Sequence, residues 1–319
     1  MNIDSPLKMD KPADTTITYM SFSINLQEVH DFLIEIAHDA GKMIIAGRPA
    51  VSRTDSKTTA ADLVTETDKA VEKMVSERIR ERYPDYEFMG EETYKPGDSL
   101  TNAPTFVVDP IDGTTNFIHT YPYACISLGF SVEREPVVGV IFNPFTSQLF
   151  TAIKGQGSYL TSPLHNREQL PLKKLEPFYD GDGKGGLSDC LVITEWGSDR
   201  ASADYDTKVK TFNKLCSDKS SGGAMVHSIR SLGSAALNLC SVAAGWADIY
   251  WEGGCWAWDV CAGWVVLKEA GGDIVDANPG KWKVTVDGRR YLAIRGGDGW
   301  EAVIKEFWDC VEGDLSYGL

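Results

Sequence analysis

The chain has 319 residues, 43% of them hydrophobic, and a formal net charge of −15. That length and apolar share suffice for one large α/β domain or two closely joined lobes around a real core. The acidic balance excludes a phosphate-backbone partner such as nucleic acid, which needs a cationic face, and leaves room for carboxylates that bind hard divalent cations through oxygen.

In chain order, residues 1–22 are polar and Pro-containing and are expected to form a disordered lead without the apolar run of a signal peptide. No segment reaches the roughly 18 apolar residues of a membrane span, so a soluble, cytoplasmic protein is expected. Leu26, Val29, Leu33, Ile36, Ala37, Ala40 and Ile44 recur at helical spacing and predict one long amphipathic helix. A second helix is predicted over 67–82, where Val71, Met74, Val75 and Ile79 form one stripe, with the polar run 57–68 preceding it and Tyr83-Pro84 ending it.

The middle of the chain is strand-rich. Residues 105–108, 124–132, 137–142 and 148–153 are β-branched or aromatic runs broken by Pro and Gly, which predicts antiparallel hairpins. Residues 161–188 lose periodicity and become rich in Pro, Gly and charge, as a surface insertion would. Beyond them strand and helix alternate: strand 191–194, helices near 204–215 and 234–244, strand 247–251 and helix 259–270. The division expected is a lobe over 23–160, the insertion, and a second lobe over 189–319 that completes the site.

The seven cysteines are scattered without a C-x-x-C pair and read as reduced thiols, and the five histidines lack metal-ligand spacing. No cysteine has an Arg six residues later, so a thiol phosphatase nucleophile is absent. Trp246, Trp251, Trp256, Trp258 and Trp264 fall in strand and helix patterns and read as mostly core. Asp180-Gly181-Asp182-Gly183 reads as a flexible loop, because the residues before it are not a buried strand.

The strongest chemical signal is Asp109-Pro110-Ile111-Asp112-Gly113-Thr114-Thr115-Asn116-Phe117, directly after the apolar run 106–108. Two carboxylates leave a strand end together, Pro110 fixes the chain direction, and Gly113 lets backbone amides approach an anion. Alone, such a segment is equally an ordinary turn with an Asp cap. It is joined by Gly90-Glu91-Glu92 after a short strand, by Trp258-Asp259-Val260 opening a helix, and by the polar run from Lys57 to Asp68. Asp259 alone would read as a helix cap, and Thr65 with Asp68 as a capping box.

Together and in this order, these segments resemble the inositol monophosphatase family of metal-dependent sugar phosphatases, over a span from about Leu26 to the last helix. The resemblance implies a layered α-β-α-β-α sandwich, homodimerisation, and lithium-sensitive hydrolysis of a small phosphate monoester, with myo-inositol monophosphate as the expected substrate. It makes Glu91, Asp109, Asp112, Asp259 and the backbone carbonyl of Ile111 ligands for two or three Mg2+ ions. It assigns Asp68 and Thr114 to the attacking water, Lys57 to a basic position beside the site, and the amides of Gly113 and Thr114 to the phosphate. Asp112, Asp259, Gly233, Ser234, Ala235 and Glu252 match substrate-binding positions, Glu252 gripping ring hydroxyls. Thr115-Asn116-Phe117 looks like the monophosphatase branch, and the segment Trp251-Glu252-Gly253-Gly254-Cys255 resembles fungal members, some tied to quinate use. The competing readings are a phosphatase for another sugar monophosphate, such as galactose 1-phosphate, and a catalytically silent regulatory homologue.

Overall fold

The computed structural model describes residues 15–19, 22–48 and 60–317. A two-stranded ribbon, β1 (Thr16–Tyr19) and β2 (Phe22–Asn25), leads into helix α1 (Leu26–Ala46), whose first turn is capped by Asn25 accepting from Glu28 N at 3.2 Å. Helix α2 (Ala60–Arg82) follows. It begins seven residues before the predicted start at 67, so residues 60–68 of the polar run belong to the helix instead of preceding it, and 57–59 lie outside the described residues. Thr65 and Glu66 lie on its exposed face, while Val64, Asp68, Val71, Glu72 and Val75 form the buried stripe. Only every third or fourth position must face inward, so a polar run does not end a helix.

The large sheet has seven strands in chain order: β3 (Glu87–Gly90), β4 (Thr105–Asp112), β5 (Cys125–Val132), β6 (Glu135–Asn143), β7 (Gln148–Ile153), β8 (Ser158–Thr161) and β9 (Glu168–Gln169). β4 to β9 pair antiparallel as the hairpin pattern predicts, whereas β3 joins the edge parallel to β4. The stretch 161–188 contains β9 and buries Leu170, Phe178 and Leu187, so it is anchored to the molecule at several points. After the short helix α3 (Thr114–Ile118) and helix α4 (Ala203–Cys216), the carboxyl half adds α5 (Ala235–Ala243), α6 (Ala257–Glu269) and α7 (Trp300–Trp308). Its mixed sheet comprises β10 (Leu191–Thr194), β11 (Ser228–Arg230), β12 (Ile249–Gly253), β13 (Asp273–Val275) and β14 (Arg290–Ile294), in the order β11-β10-β12-β14-β13.

The alternation of side chains along each strand assigns the layers. Phe106, Val108, Leu128 and Val140 of the large sheet pack with Leu33 and Ile36 of α1 and Val71 and Val75 of α2. Val107 and Ile141, on its other face, pack with Leu239 of α5 and Val265 of α6, which also cover Tyr250 and Ala293 of the smaller sheet. The far face of that sheet, Val192, Trp251 and Leu292, packs against Leu215 of α4 and Phe307 of α7. The result is the α-β-α-β-α sandwich that the family resemblance implies. α5 and α6, buried along nearly their whole length, are the apolar filling between two sheets.

α6 lies unusually close to the large sheet. A Cβ at Gly139 would stand 2.3 Å from Ala262 O, and one at Gly129 would stand 2.5 Å from Cys261 Sγ. These two glycines let the helix settle onto β5 and β6 and fix where its first turn points.

Candidate active site

β4 carries its carboxylates to the sheet's end through a bulge. Asp109 pairs with Ser127 and Asp112 with Cys125, so Pro110 and Ile111 together oppose one residue of β5. In a regular strand, residues three apart point to opposite faces. The extra residue restores the parity, so Asp109 and Asp112 share the α5–α6 face while Ile111 enters the core on the other side. Pro110, which has no amide hydrogen to pair, suits the bulge. The chain then turns at Gly113, with φ of 92°, where a Cβ would stand 2.9 Å from Tyr123 O and 3.2 Å from Gly233 O. Asn116 fastens the turn by donating to Tyr123 O and Leu232 O, both at 2.7 Å.

α6 delivers the third carboxylate. Asp259, in its first turn, accepts from Trp256 N at 2.6 Å, and Ser127 Oγ donates to Trp258 O at 3.1 Å, tying the helix start to β5. One carboxylate oxygen each of Asp109, Asp112 and Asp259 lies within 4.8 Å of the others. Glu91, just past β3, lies close enough to Asp109 for its charge to raise that carboxyl. Asp112 is braced from α5: its Oδ2 accepts from Ser234 Oγ at 2.5 Å and Ala236 N at 2.7 Å, and its Oδ1 from Ala235 N at 3.3 Å. Ser234 and Ala235, matched from sequence to substrate, thus donate to Asp112 in this structure. Thr114 Oγ1 donates to the Ile111 carbonyl at 3.1 Å.

The electrostatics follow from crowding acids in a small, dry volume. Burial, reinforced by Glu91, Asp112 and Asp259, holds the Asp109 carboxyl well above its ordinary value. Burial raises Asp112 to about 6 against the opposing hydrogen bonds from α5, and raises Asp259 well above its ordinary value, helped by Asp112. Glu91 retains exposed surface, but enclosure of its carboxyl end, with Glu92, Asp112 and Glu72 nearby, lifts it to about 7. Asp68, on the buried stripe of α2, is pushed up to about 8 by burial and then by Glu91, Glu92 and Glu72. Asp109 Oδ1, Asp68 Oδ1 and Glu72 Oε1 are buried without a hydrogen-bond partner among the described residues. Unpartnered buried oxygens beside converging carboxylates fit a divalent cation, which supplies both the missing partner and the counter-charge.

Asp112 and Asp259 of the cluster line an open cleft of about 690 Å³. Glu252, at the end of β12, lines it, with its Oε2 accepting from Tyr250 OH, and burial raises its carboxyl to about 7. Gly233 lines it too, with φ of 80°. Lys57 lies outside the described residues. Two acids went unnoticed in the sequence. Glu195, just beyond β10, accepts from Ser231 Oγ, Leu232 N, Gly233 N and Asn238 Nδ2 at 2.7–3.0 Å and so shapes the loop before α5. Glu72, one helical turn after Asp68, accepts from Glu92 N at 2.8 Å. Their signals were present: an acid ending an apolar strand, and an acid four residues from Asp68 on an apolar stripe. Among the tryptophans, Trp251 and Trp258 are core, whereas Trp256 lines the cleft and Trp246 is 43% exposed.

The sequence profile of the inositol monophosphatase family matches residues 25–312. Inositol monophosphatase 2 of Saccharomyces cerevisiae is 44% identical over 92% of this chain and 98% of its own length. Quinic acid degradation cluster protein x of Neurospora crassa is 37% identical over 89% and 93%. Among solved structures, inositol monophosphatase from Anabaena superposes with a TM-score of 0.69 at 30% identity, covering 90% of this chain and 96% of that one.

Proposed function

Because this chain belongs to the inositol monophosphatase family, and is accordingly a metal-dependent phosphoric monoester hydrolase, we propose that it hydrolyses myo-inositol monophosphate to myo-inositol and phosphate by in-line attack of water, with Mg2+ as its metal. The observation that carries this reading is the meeting of Asp109, Asp112 and Asp259 within 4.8 Å, with a buried oxygen on Asp109 unpartnered among the described residues, where Asp112 and Asp259 line a cleft that Glu252 also lines. Glu91, Asp109, Asp112, Asp259 and the Ile111 carbonyl would hold the metal. Two or three bound ions would supply Lewis-acid polarisation of the ester and lower the pKa of the attacking water.

The protein's own groups do the rest. Asp68, with its unpartnered Oδ1, and the Thr114 hydroxyl would orient the attacking water and take its proton, with Lys57 assigned beside them. The amides of Gly113 and Thr114, freed by the left-handed turn, would hold the phosphate, and Gly233 with Ser234 and Ala235 would border it. Glu252, its rotamer fixed by Tyr250, would accept hydrogen bonds from ring hydroxyls. Its carboxylate suits an uncharged polyol better than a second phosphate.

The family resemblance supports a homodimer, which light scattering of the purified protein would test. Seven free thiols suit a reducing compartment such as the cytoplasm, and among the described residues no helix is long and apolar enough to cross a membrane. The test of function is phosphate release from myo-inositol 1-phosphate, galactose 1-phosphate, fructose 1,6-bisphosphate and 3′-phosphoadenosine 5′-phosphate, with Mg2+, EDTA or added Li+. Mg2+-dependent preference for inositol 1-phosphate is expected. Preference for galactose 1-phosphate would overturn the substrate assignment, and turnover undiminished by EDTA would overturn the metal mechanism.

A further inference from the structure

One wall of the cleft comes from the segment that follows α7. Its seat is built from buried polar groups: Leu315 N donates to Asn278 Oδ1 at 2.8 Å, and Asn278 Nδ2 returns a bond to Leu315 O at 2.9 Å. Ser316 donates to Asp204 Oδ1 from its amide at 2.7 Å and its hydroxyl at 3.0 Å, and the Arg290 guanidinium donates to the Tyr317 carbonyl. Asn278 and Asp204 are both buried, so these bonds form away from competing water. The segment is therefore strapped down, and the strap ends by presenting Tyr317 to the cleft.

The ring stands on the backbone immediately after Glu252. A Cβ at Gly253 would lie 2.8 Å from the Tyr317 ring, and one at Gly254, with φ of 109°, would lie 3.2 Å from it. Two cations hold it there: Lys208 Nζ is 5.2 Å from the ring centroid and donates to Gly253 O at 3.0 Å, and the Arg289 guanidinium is 5.9 Å away while stacked 3.6 Å over Trp256. The two glycines let the ring lie directly on the strand end, since a Cβ at either would press into it, and Tyr317 and Glu252 line the same cleft. A polyol ring has hydroxyls on its edges and C–H bonds on its faces. An anchored aromatic beside a hydroxyl-accepting carboxylate matches both features.

We propose that Tyr317 is a specificity-determining residue that packs against the C–H face of the substrate's polyol ring while Glu252 takes its hydroxyls, an inference that rests on the polyol phosphate reading above. The measured quantity is the ratio of kcat/KM for inositol 1-phosphate to that for 2-glycerophosphate, which has no ring to pack. Tyr317→Ala should lower this ratio roughly tenfold, as loss of one well-packed aromatic contact would. Tyr317→Phe, which keeps the ring, should restore it to within about twofold of wild type. Ser316→Ala keeps the ring and removes the hydroxyl's contacts with both Asp204 oxygens. It should move the ratio in the same direction by a smaller factor, and it keeps the test open if Tyr317→Ala does not fold. An equal fall on both esters would show that Tyr317 merely supports the fold, and an unchanged ratio in Tyr317→Ala would place the ring outside the substrate's reach; either result overturns the proposal. Failure of the substrate reading shows separately, in wild-type enzyme that turns over 2-glycerophosphate but not inositol 1-phosphate, and the same ratio is then read with galactose 1-phosphate.

Discussion

A carboxylate as dry as Asp109, 2% exposed and missing a partner for Oδ1 among the described residues, is costly unless a cation sits beside it. Asp109→Asn removes the charge and keeps the shape. Phosphate release should fall by about 10³-fold or more as the metal's contribution is lost. The EDTA-treated variant should melt higher than EDTA-treated wild type at pH 8, which a thermal scan reads directly. Retained turnover would remove Asp109 from the site. Glu195 predicts the opposite balance: Glu195→Ala leaves four donors of the Ser231–Asn238 region without their acceptor and should cost about 3 kcal/mol in urea denaturation. Unchanged stability in this variant would mean that the four donors find other acceptors and that Glu195 does not anchor the loop. At this scale the sequence was informative where residues form a contiguous motif, as from Asp109 to Phe117. It was silent where a single residue acts across the fold: Glu195 reaches Gly233, and Tyr317 reaches Gly253, over separations no spacing rule encodes.

Hydrophobic period placed α1, β4 to β7, α5 and α6 with small boundary errors, because each of these buries a face or a whole surface. It did not resolve β9, β11 or β13, two or three residues each, whose existence depends on a neighbour's edge and not on their own side chains. The bulge in β4 was equally hidden, although it decides that Asp109 and Asp112 face the same way. What the sequence lists as ordinary strand glycines are the contacts that position α6. Gly139→Ala would drive a Cβ to 2.3 Å from Ala262 O, a backbone atom that cannot rotate aside. The expected cost is about 2 kcal/mol or more in urea denaturation. Because α6 carries Asp259 in its first turn, the variant should also need more Mg2+ for half-maximal activity. A stability loss without any change in Mg2+ requirement would mean the helix start is held by Trp256 and Ser127 alone.

The whole molecule brings carboxylates from both halves of the chain to one place, Glu91, Asp109 and Asp112 from the first and Asp259 from the second, at the ends of a sheet and two central helices. The layer order that does this is set by which faces are apolar on both sides, and that becomes visible only when α5 and α6 are seen buried against two sheets. The arrangement has a thermodynamic consequence. Asp112 at about 6, Glu91 and Glu252 at about 7 and Asp68 at about 8 are all raised above their unfolded values. A carboxyl shifted this way favours the folded state while protonated. Its contribution is complete below the unfolded pKa near 4 and is lost as pH climbs through the folded value. The metal-free protein should therefore lose melting temperature between pH 5 and pH 8.5. Mg2+ reverses the sign of the problem, since it needs the same groups ionised and its affinity rises as their protons leave. Added Mg2+ should raise the melting temperature little at pH 5.5 and substantially at pH 8, so that the two scans diverge with pH. Parallel scans, with the same Mg2+ increment at both ends, would mean that these carboxyls do not share the ion.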